Sequence, residues 1–260
     1  MSVPIIADWR ELYASDGSAP DSAPMEAYWA RPRDGAPGPG VVVLMEVFGV
    51  NAHICAICER LAGEGYSALA VNYYHRTTPN RPLDYSEASL AEGRAHKDQT
   101  TAAGLLADVQ AAIAFLQAQP ETAPRDRVGV LGFSFGGHAA FLAATLPEVA
   151  ACVSFCGGGI PAFRPGGGPP TLTDVPRIGG ELLCLFGDAD PLIPPSQVEA
   201  IGAALRQAGV RHEIICYAQA GHGFHRDGQP DFKPDAARDA WRRTLRLFQS
   251  ALGPIPRVRV

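Results

Sequence analysis

The chain has 260 residues, 47% of them hydrophobic and 19% charged, a balance that suits one large buried core without division into domains. Its formal net charge is −5 with basic residues dispersed, which argues against a nucleic-acid-binding surface or a basic membrane face. No run approaches the ~18 uninterrupted apolar residues of a membrane span, and Met1-Ser2-Val3-Pro4 lacks the charged and apolar regions of a secretory leader.

The six cysteines, Cys55, Cys58, Cys152, Cys156, Cys184 and Cys216, read as reduced thiols in a cytoplasmic protein. Most lie in or beside apolar runs, where a thiol packs as a small hydrophobe.

In chain order, short apolar strands alternate with helical patterns, as in a mostly parallel sheet covered by helices on both faces. Residues 9–13 and 25–31 read as an opening hairpin. A strand at Val41 to Met45, a helix over 52–64 and a strand at Ala68 to Val71 come next. The spacing predicts a helix over 98–118, with Leu105, Val109, Ala112 and Leu116 on one stripe. The run Val128 to Leu131 leads through Gly132-Phe133-Ser134-Phe135-Gly136 into the small-residue stretch Gly137 to Thr145.

Further strands are expected near 150–155, 181–186 and 212–217, with a helix at 196–208 between the last two. A final helix carries Trp241, Leu245, Phe248 and Leu252 on one face, and a frayed tail succeeds Gly253. Two segments read as irregular: 75–97, with Pro79 and Pro82, and 157–180, crowded with Gly and Pro. Both leave carboxyl ends of strands, where open α/β sheets bind ligands. The whole reads as a single α/β domain over 1–260, its catalytic core spanning about 10–250.

The G-x-S-x-G pentapeptide between strand and helix is a turn that exposes one side chain at the end of a strand. Ser134 is the candidate nucleophile, and the N–H of Phe135 points at the same spot. Asp190, in Gly187-Asp188-Ala189-Asp190-Pro191, is the candidate acid; it lies deeper in its turn than Asp188, and Pro191 and Pro194 stiffen the residues after it. His222, between Gly221 and Gly223, has room to enter a cleft as general base and acid, whereas His225 lacks such flanking glycines. The order Ser, Asp, His, each after its own strand, is that of α/β-hydrolases. A second oxyanion donor is expected from the loop after Met45, with Val47 the choice. Phe48 and Phe155 fall at carboxyl ends of strands and read as pocket walls.

Other signals carry less. Cys55-Ala56-Ile57-Cys58 beside His53 has no second ligand pair and shares an apolar stripe with Ile54 and Leu61, so it reads as packing. The glycine runs at 157–159 and 166–168 lack the lysine and hydroxyl of a phosphate-binding loop. His138 reads as an ordinary helix residue. No cofactor and no metal site is expected.

Four segments make the chain resemble the dienelactone hydrolase (carboxymethylenebutenolidase) family of α/β-hydrolases from about residue 10 to 250. They are Glu46-Val47-Phe48-Gly49-Val50-Asn51, Tyr74-His75-Arg76, the serine pentapeptide, and Ala220-Gly221-His222-Gly223-Phe224-His225-Arg226. The resemblance implies that Glu46 contacts the resting nucleophile and that Arg76 and Arg226 grip a substrate carboxylate. It also exposes a departure, because the family nucleophile is usually cysteine in G-x-C-x-G. A hydroxyl barely ionises and must lose its proton during attack. Glu46 therefore reads as orienting Ser134 or steering substrate rather than governing a thiolate.

The expected function is hydrolysis of a small lactone or ester bearing a carboxylate, by a monomer or small homo-oligomer. The alternatives are a general carboxylesterase or thioesterase, in which the two arginines do not bind substrate, and a ligand-binding relative without turnover.

Overall fold

The most apolar runs of the chain become its central strands. In the computed structural model, which describes residues 4–14, 23–33, 37–79 and 81–255, every position of β3 (Gly40–Leu44), β4 (Ser67–Val71) and β5 (Val128–Phe133) is buried. Strands covered on both faces need no apolar–polar alternation. β1 (Ile5–Leu12) and β2 (Met25–Pro32) form an antiparallel hairpin at one edge. β6 (Val149–Phe155), β7 (Glu181–Gly187) and β8 (His212–Tyr217) extend the sheet to the other. The order is β1-β2-β4-β3-β5-β6-β7-β8, and every pairing from β4 to β8 is parallel.

Helices cover both faces. α1 (Ala52–Gly63) and α6 (Pro234–Leu252) meet where the Arg60 guanidinium lies 4.0 Å from the Trp241 ring centroid. α3 (Ala102–Ala118) packs on α4 (Phe135–Ala143) across the sheet from them. The stripe Leu105, Val109, Ala112 and Leu116 is buried, as are Trp241, Phe248 and Leu252. α5 (Pro195–Gln207) rests on a short 3₁₀ helix at Thr171–Arg177.

All six cysteines are free; Cys58, Cys152, Cys156 and Cys184 are buried, and Cys216 is exposed. Among the described residues no single helix is long and apolar enough to cross a membrane. Met1 to Val3 and residues 256–260, on which the leader reading and most of the expected tail fall, lie outside the described residues.

Two expectations change. The segment 75–97 is not irregular throughout, because Glu87–Lys97 forms α2. The helix expected from 98 begins at Ala102, where Thr101 caps it by accepting from the Gly104 N–H at 3.0 Å.

The 157–180 connection is held to α4 by His138. Its Nδ1–H donates to the Gly158 carbonyl at 2.9 Å, and its Nε2 accepts from Thr171 Oγ1 at 2.7 Å. Burial lowers this imidazole's pKa to about 4. An unfolded histidine titrates near ~6.5, so between the two values the unfolded chain binds a proton that the folded chain refuses. This contribution is complete above pH ~6.5 and is lost as pH falls toward about 4, amounting to at most about 3 kcal/mol. Unfolding by urea at pH 7 and pH 4.5 is expected to show a smaller pH-dependent loss for His138→Gln than for the parent. Equal losses would remove His138 from the account.

Candidate active site

Between β5 and α4 a single residue, Ser134, turns the chain at φ 55° and ψ −121°. Such a backbone costs a non-glycine residue about 1–3 kcal/mol and persists only where its surroundings enforce it. Here the Ser134 N–H donates to the Phe155 carbonyl at 2.8 Å, and the Ser134 carbonyl accepts from Gly137 at 2.9 Å. The turn drives the start of α4 against the end of β3. A Cβ on Gly136 would lie 2.3 Å from the Met45 carbonyl oxygen and 2.4 Å from that of Leu44. Only glycine permits this approach.

Asp190 follows β7 with its side chain fully buried. Its Oδ1 accepts from the Leu192 N–H at 2.8 Å, and its Oδ2 from His222 Nδ1–H at 2.7 Å. Asp188 is exposed and accepts from the Gln219 N–H at 2.6 Å. His222 follows β8, and its Nε2 lies 2.8 Å from Ser134 Oγ. Because the Asp190 carboxylate only accepts, the imidazole proton sits on Nδ1 and leaves the Nε2 lone pair facing the hydroxyl. The structure thus brings Ser134, His222 and Asp190 into one hydrogen-bonded line.

That line opens into a cleft of about 670 Å³ whose walls include Glu46, Val47, Phe48 and Phe135. Phe135 is the first residue of α4, where N–H groups lack intrahelical acceptors. Val47 lies across the contact made by Gly136, on the loop leaving β3. Phe48 meets Tyr85 edge-on, with ring centroids 4.7 Å apart.

Glu46 is 1% exposed, and its Oε2 accepts from the Tyr85 hydroxyl at 3.0 Å. Among the described residues its hydrogen bond goes to Tyr85 and not to Ser134. Burial, reinforced by the Glu46 charge, pushes the Tyr85 pKa well above the ordinary phenol value, so the hydroxyl remains a donor. Asn51 steadies the pair: its amide donates to Tyr85 at 3.3 Å while its carbonyl caps α1 through the Ile54 N–H. Arg226 lies 3.8 Å from Glu46 and 3.4 Å from Asp231.

Arg76 is not on this cleft. Its two terminal nitrogens each reach an oxygen of Asp108 on α3 at 2.9 Å, and His75 Nε2 meets the same carboxylate at 3.1 Å. A guanidinium fork fits a carboxylate inside the protein as well as one on a substrate, and the buried Asp108 requires a countercharge. Arg76 instead borders a separate hollow of about 250 Å³. Phe155 is also displaced from its expected role. Its ring is 2% exposed and packs on Phe133, its register partner in β5, at 4.8 Å. The end of a strand presents two faces, and this ring takes the core side.

The cleft also contains residues that sequence reasoning missed. Tyr85 precedes α2, and Leu90, Arg94 and Lys97 lie along it. α2 rests directly on the turn at Val47, since a Cβ on Gly93 would come within 2.1 Å of the Val47 carbonyl oxygen. Its signal was a cap rather than a stripe. Ser86 accepts from the Ser89 N–H at 3.2 Å, but only Gly93 is buried. From the 157–180 connection, Gly158, Gly159 and Phe163 complete the wall opposite.

A mostly parallel sheet flanked by helices, with Ser134, Asp190 and His222 following separate strands, is an α/β-hydrolase fold. The chain belongs to the dienelactone hydrolase family, whose pattern matches residues 25–252, and is a hydrolase of that family. It is 41% identical over 225 residues to a "putative carboxymethylenebutenolidase" of Synechocystis sp., covering 86% of this chain and 91% of the relative. A Bradyrhizobium sp. protein named "probable 2-oxo-3-(5-oxofuran-2-ylidene)propanoate lactonase" is 31% identical over 220 residues, covering 84% and 86% respectively. The crystal structure of a "putative dienelactone hydrolase" from Klebsiella pneumoniae superposes with a TM-score of 0.82 at 30% identity, over 94% of this chain and 98% of that one.

Asp108→Ala is expected to lower the free energy of unfolding by about 3–5 kcal/mol, since it removes the buried carboxylate that an imidazole and a guanidinium share. Arg76→Ala should leave the KM for an anionic ester unchanged. A tenfold rise in KM would return Arg76 to the substrate.

Proposed function

We propose that the chain hydrolyses a small lactone or ester bearing a carboxylate, through an acyl-enzyme on Ser134. As Ser134 Oγ attacks the acyl carbon, its proton passes to His222 Nε2. Asp190 holds the imidazole in place and stabilises the imidazolium that forms. The carbonyl oxygen becomes an oxyanion facing the N–H groups of Val47 and Phe135. His222 then returns the proton to the leaving oxygen, which in a lactone remains part of the same molecule. A water deprotonated by His222 attacks the acyl carbon, and Ser134 leaves with the proton restored.

The observation that carries this reading is the relay from Asp190 through His222 to Ser134, at 2.7 and 2.8 Å, opening on the cleft. Arg226, Arg94 and Lys97 share that cleft with Glu46, Glu87 and Asp231, and the three cations are the groups that would hold an anionic substrate. Arg226 is the best held of the three, lying between Glu46 and Asp231 with its guanidinium 4.9 Å from the Tyr85 ring centroid. The Bradyrhizobium relative's name describes a lactone joined to a carboxylate, which agrees with this chemistry. The free thiols fit a cytoplasmic setting.

A fluorophosphonate probe is expected to label the protein at Ser134 and to leave Ser134→Ala unlabelled. kcat for ester hydrolysis should fall by about 10⁴-fold or more in Ser134→Ala and by about 10⁴-fold in Asp190→Asn. Absence of labelling in the folded protein would indicate a binding protein. Arg226→Ala should raise KM by roughly tenfold for anionic esters and leave neutral ones unaffected. Equal effects on both would point to a general carboxylesterase.

A further inference from the structure

Behind the cleft wall, three donors converge from separate parts of the chain: the Glu46 carboxylate, His53 on the first turn of α1, and His225. One ligand atom from each lies within 4.8 Å of the other two. His225 Nε2 is 3.9 Å from Glu46 Oε1, and its side chain is only 4% exposed. The ring stacks on Phe133 with centroids 4.7 Å apart, yet among the described residues neither of its nitrogens has a hydrogen-bond partner. His53 Nε2 is likewise buried and unpartnered. Buried polar atoms in native proteins are almost always paired, and leaving one unpaired costs about 1–3 kcal/mol. Three unpaired ring nitrogens of two imidazoles around a single carboxylate call for a shared ligand.

We propose that Glu46, His53 and His225 form a binding site for a divalent transition-metal ion of borderline softness, represented by Zn²⁺. Two imidazole nitrogens and one carboxylate oxygen are a donor set that zinc accepts, with a fourth position left for water. Magnesium and calcium prefer oxygen donors throughout. Burial lowers the pKa of both histidines, most strongly at His225, and keeps the rings in the neutral form that ligates. Bonds of about 2.0–2.1 Å place tetrahedral ligands about 3.4 Å apart, so the donors must close by roughly an ångström. The half-buried His53 offers the entry route.

Arg226 competes for Glu46 but has Asp231 as a second carboxylate at 3.4 Å. Drawing Glu46 toward a metal would pull it from Tyr85 and loosen Arg226 at the cleft. Reversible inhibition of the proposed hydrolysis follows from the same contact, and this consequence alone rests on that reading.

Titration of the metal-free, full-length protein with Zn²⁺ against a chromophoric chelator tests the site without any substrate. One zinc per chain is expected, with affinity reduced roughly tenfold or more in His53→Asn and His225→Asn. X-ray absorption of the zinc complex should show nitrogen and oxygen neighbours only, two of them imidazoles. Zinc should slow ester hydrolysis by the parent, chelator should restore it, and His53→Asn should resist it. His225→Asn alters a core ring, so His53→Asn, on the edge of α1, decides the matter if the former does not fold. Failure to bind one zinc per chain, or unchanged affinity in folded His53→Asn, overturns the proposal. A sulfur neighbour would also overturn it, since that points to the separate Cys156, Asp190 and His222 cluster. Because binding is read directly, none of these results alters the hydrolytic assignment.

Discussion

The approach of α4 to the end of β3, tight enough to exclude any side chain at position 136, is the constraint on which the site depends. It imposes the strained turn that lifts Ser134 above the sheet, and the hydrogen bond from its amide to β6 keeps the turn from relaxing. The same contact brings Val47 and Phe135, the expected oxyanion donors, to opposite sides of one junction. Every residue of α4 is buried. Burial of that helix, at roughly 25 cal/mol per Å² of apolar surface, offsets a local strain of about 1–3 kcal/mol.

The electrostatics of the cleft are organised around a carboxylate that is already bonded. Glu46 receives the Tyr85 hydroxyl and lies near Arg226, while His222 engages the Ser134 hydroxyl. With a serine in the pentapeptide there is no resting thiolate for a carboxylate to repel or release. A buried anion among donors instead fixes the positions of those donors, and both of them, Tyr85 and Arg226, border the cleft.

How legible each feature is in the sequence depends on how locally its requirement is encoded. The glycines around Ser134 and His222 serve the backbone of their own turns, so the turns and the residues they expose are visible in a single chain. Strands β3 to β5 are visible because burial on both faces leaves unbroken apolar runs. Arg76 cannot be placed in this way, because its partner Asp108 lies thirty-two residues along the chain and looks like any polar position on α3. Phe155 is misplaced because a strand's end specifies its height in the sheet but not which face a ring occupies. His225 looks like a weaker copy of His222, and only the fold shows both its nitrogens enclosed without partners among the described residues.

α2 escapes notice for a reason with consequences of its own. Gly93 is its one buried residue and Leu90 packs partly against the core, yet the helix carries Leu90, Arg94 and Lys97 to the rim of the cleft. Its exposed positions, Arg94 among them, can be exchanged with little effect on the packing around Ser134, His222 and Asp190. On the proposed function, selectivity and chemistry are therefore separable under selection: the charge and shape of the entrance can drift while the proposed reacting groups stay where the sheet puts them.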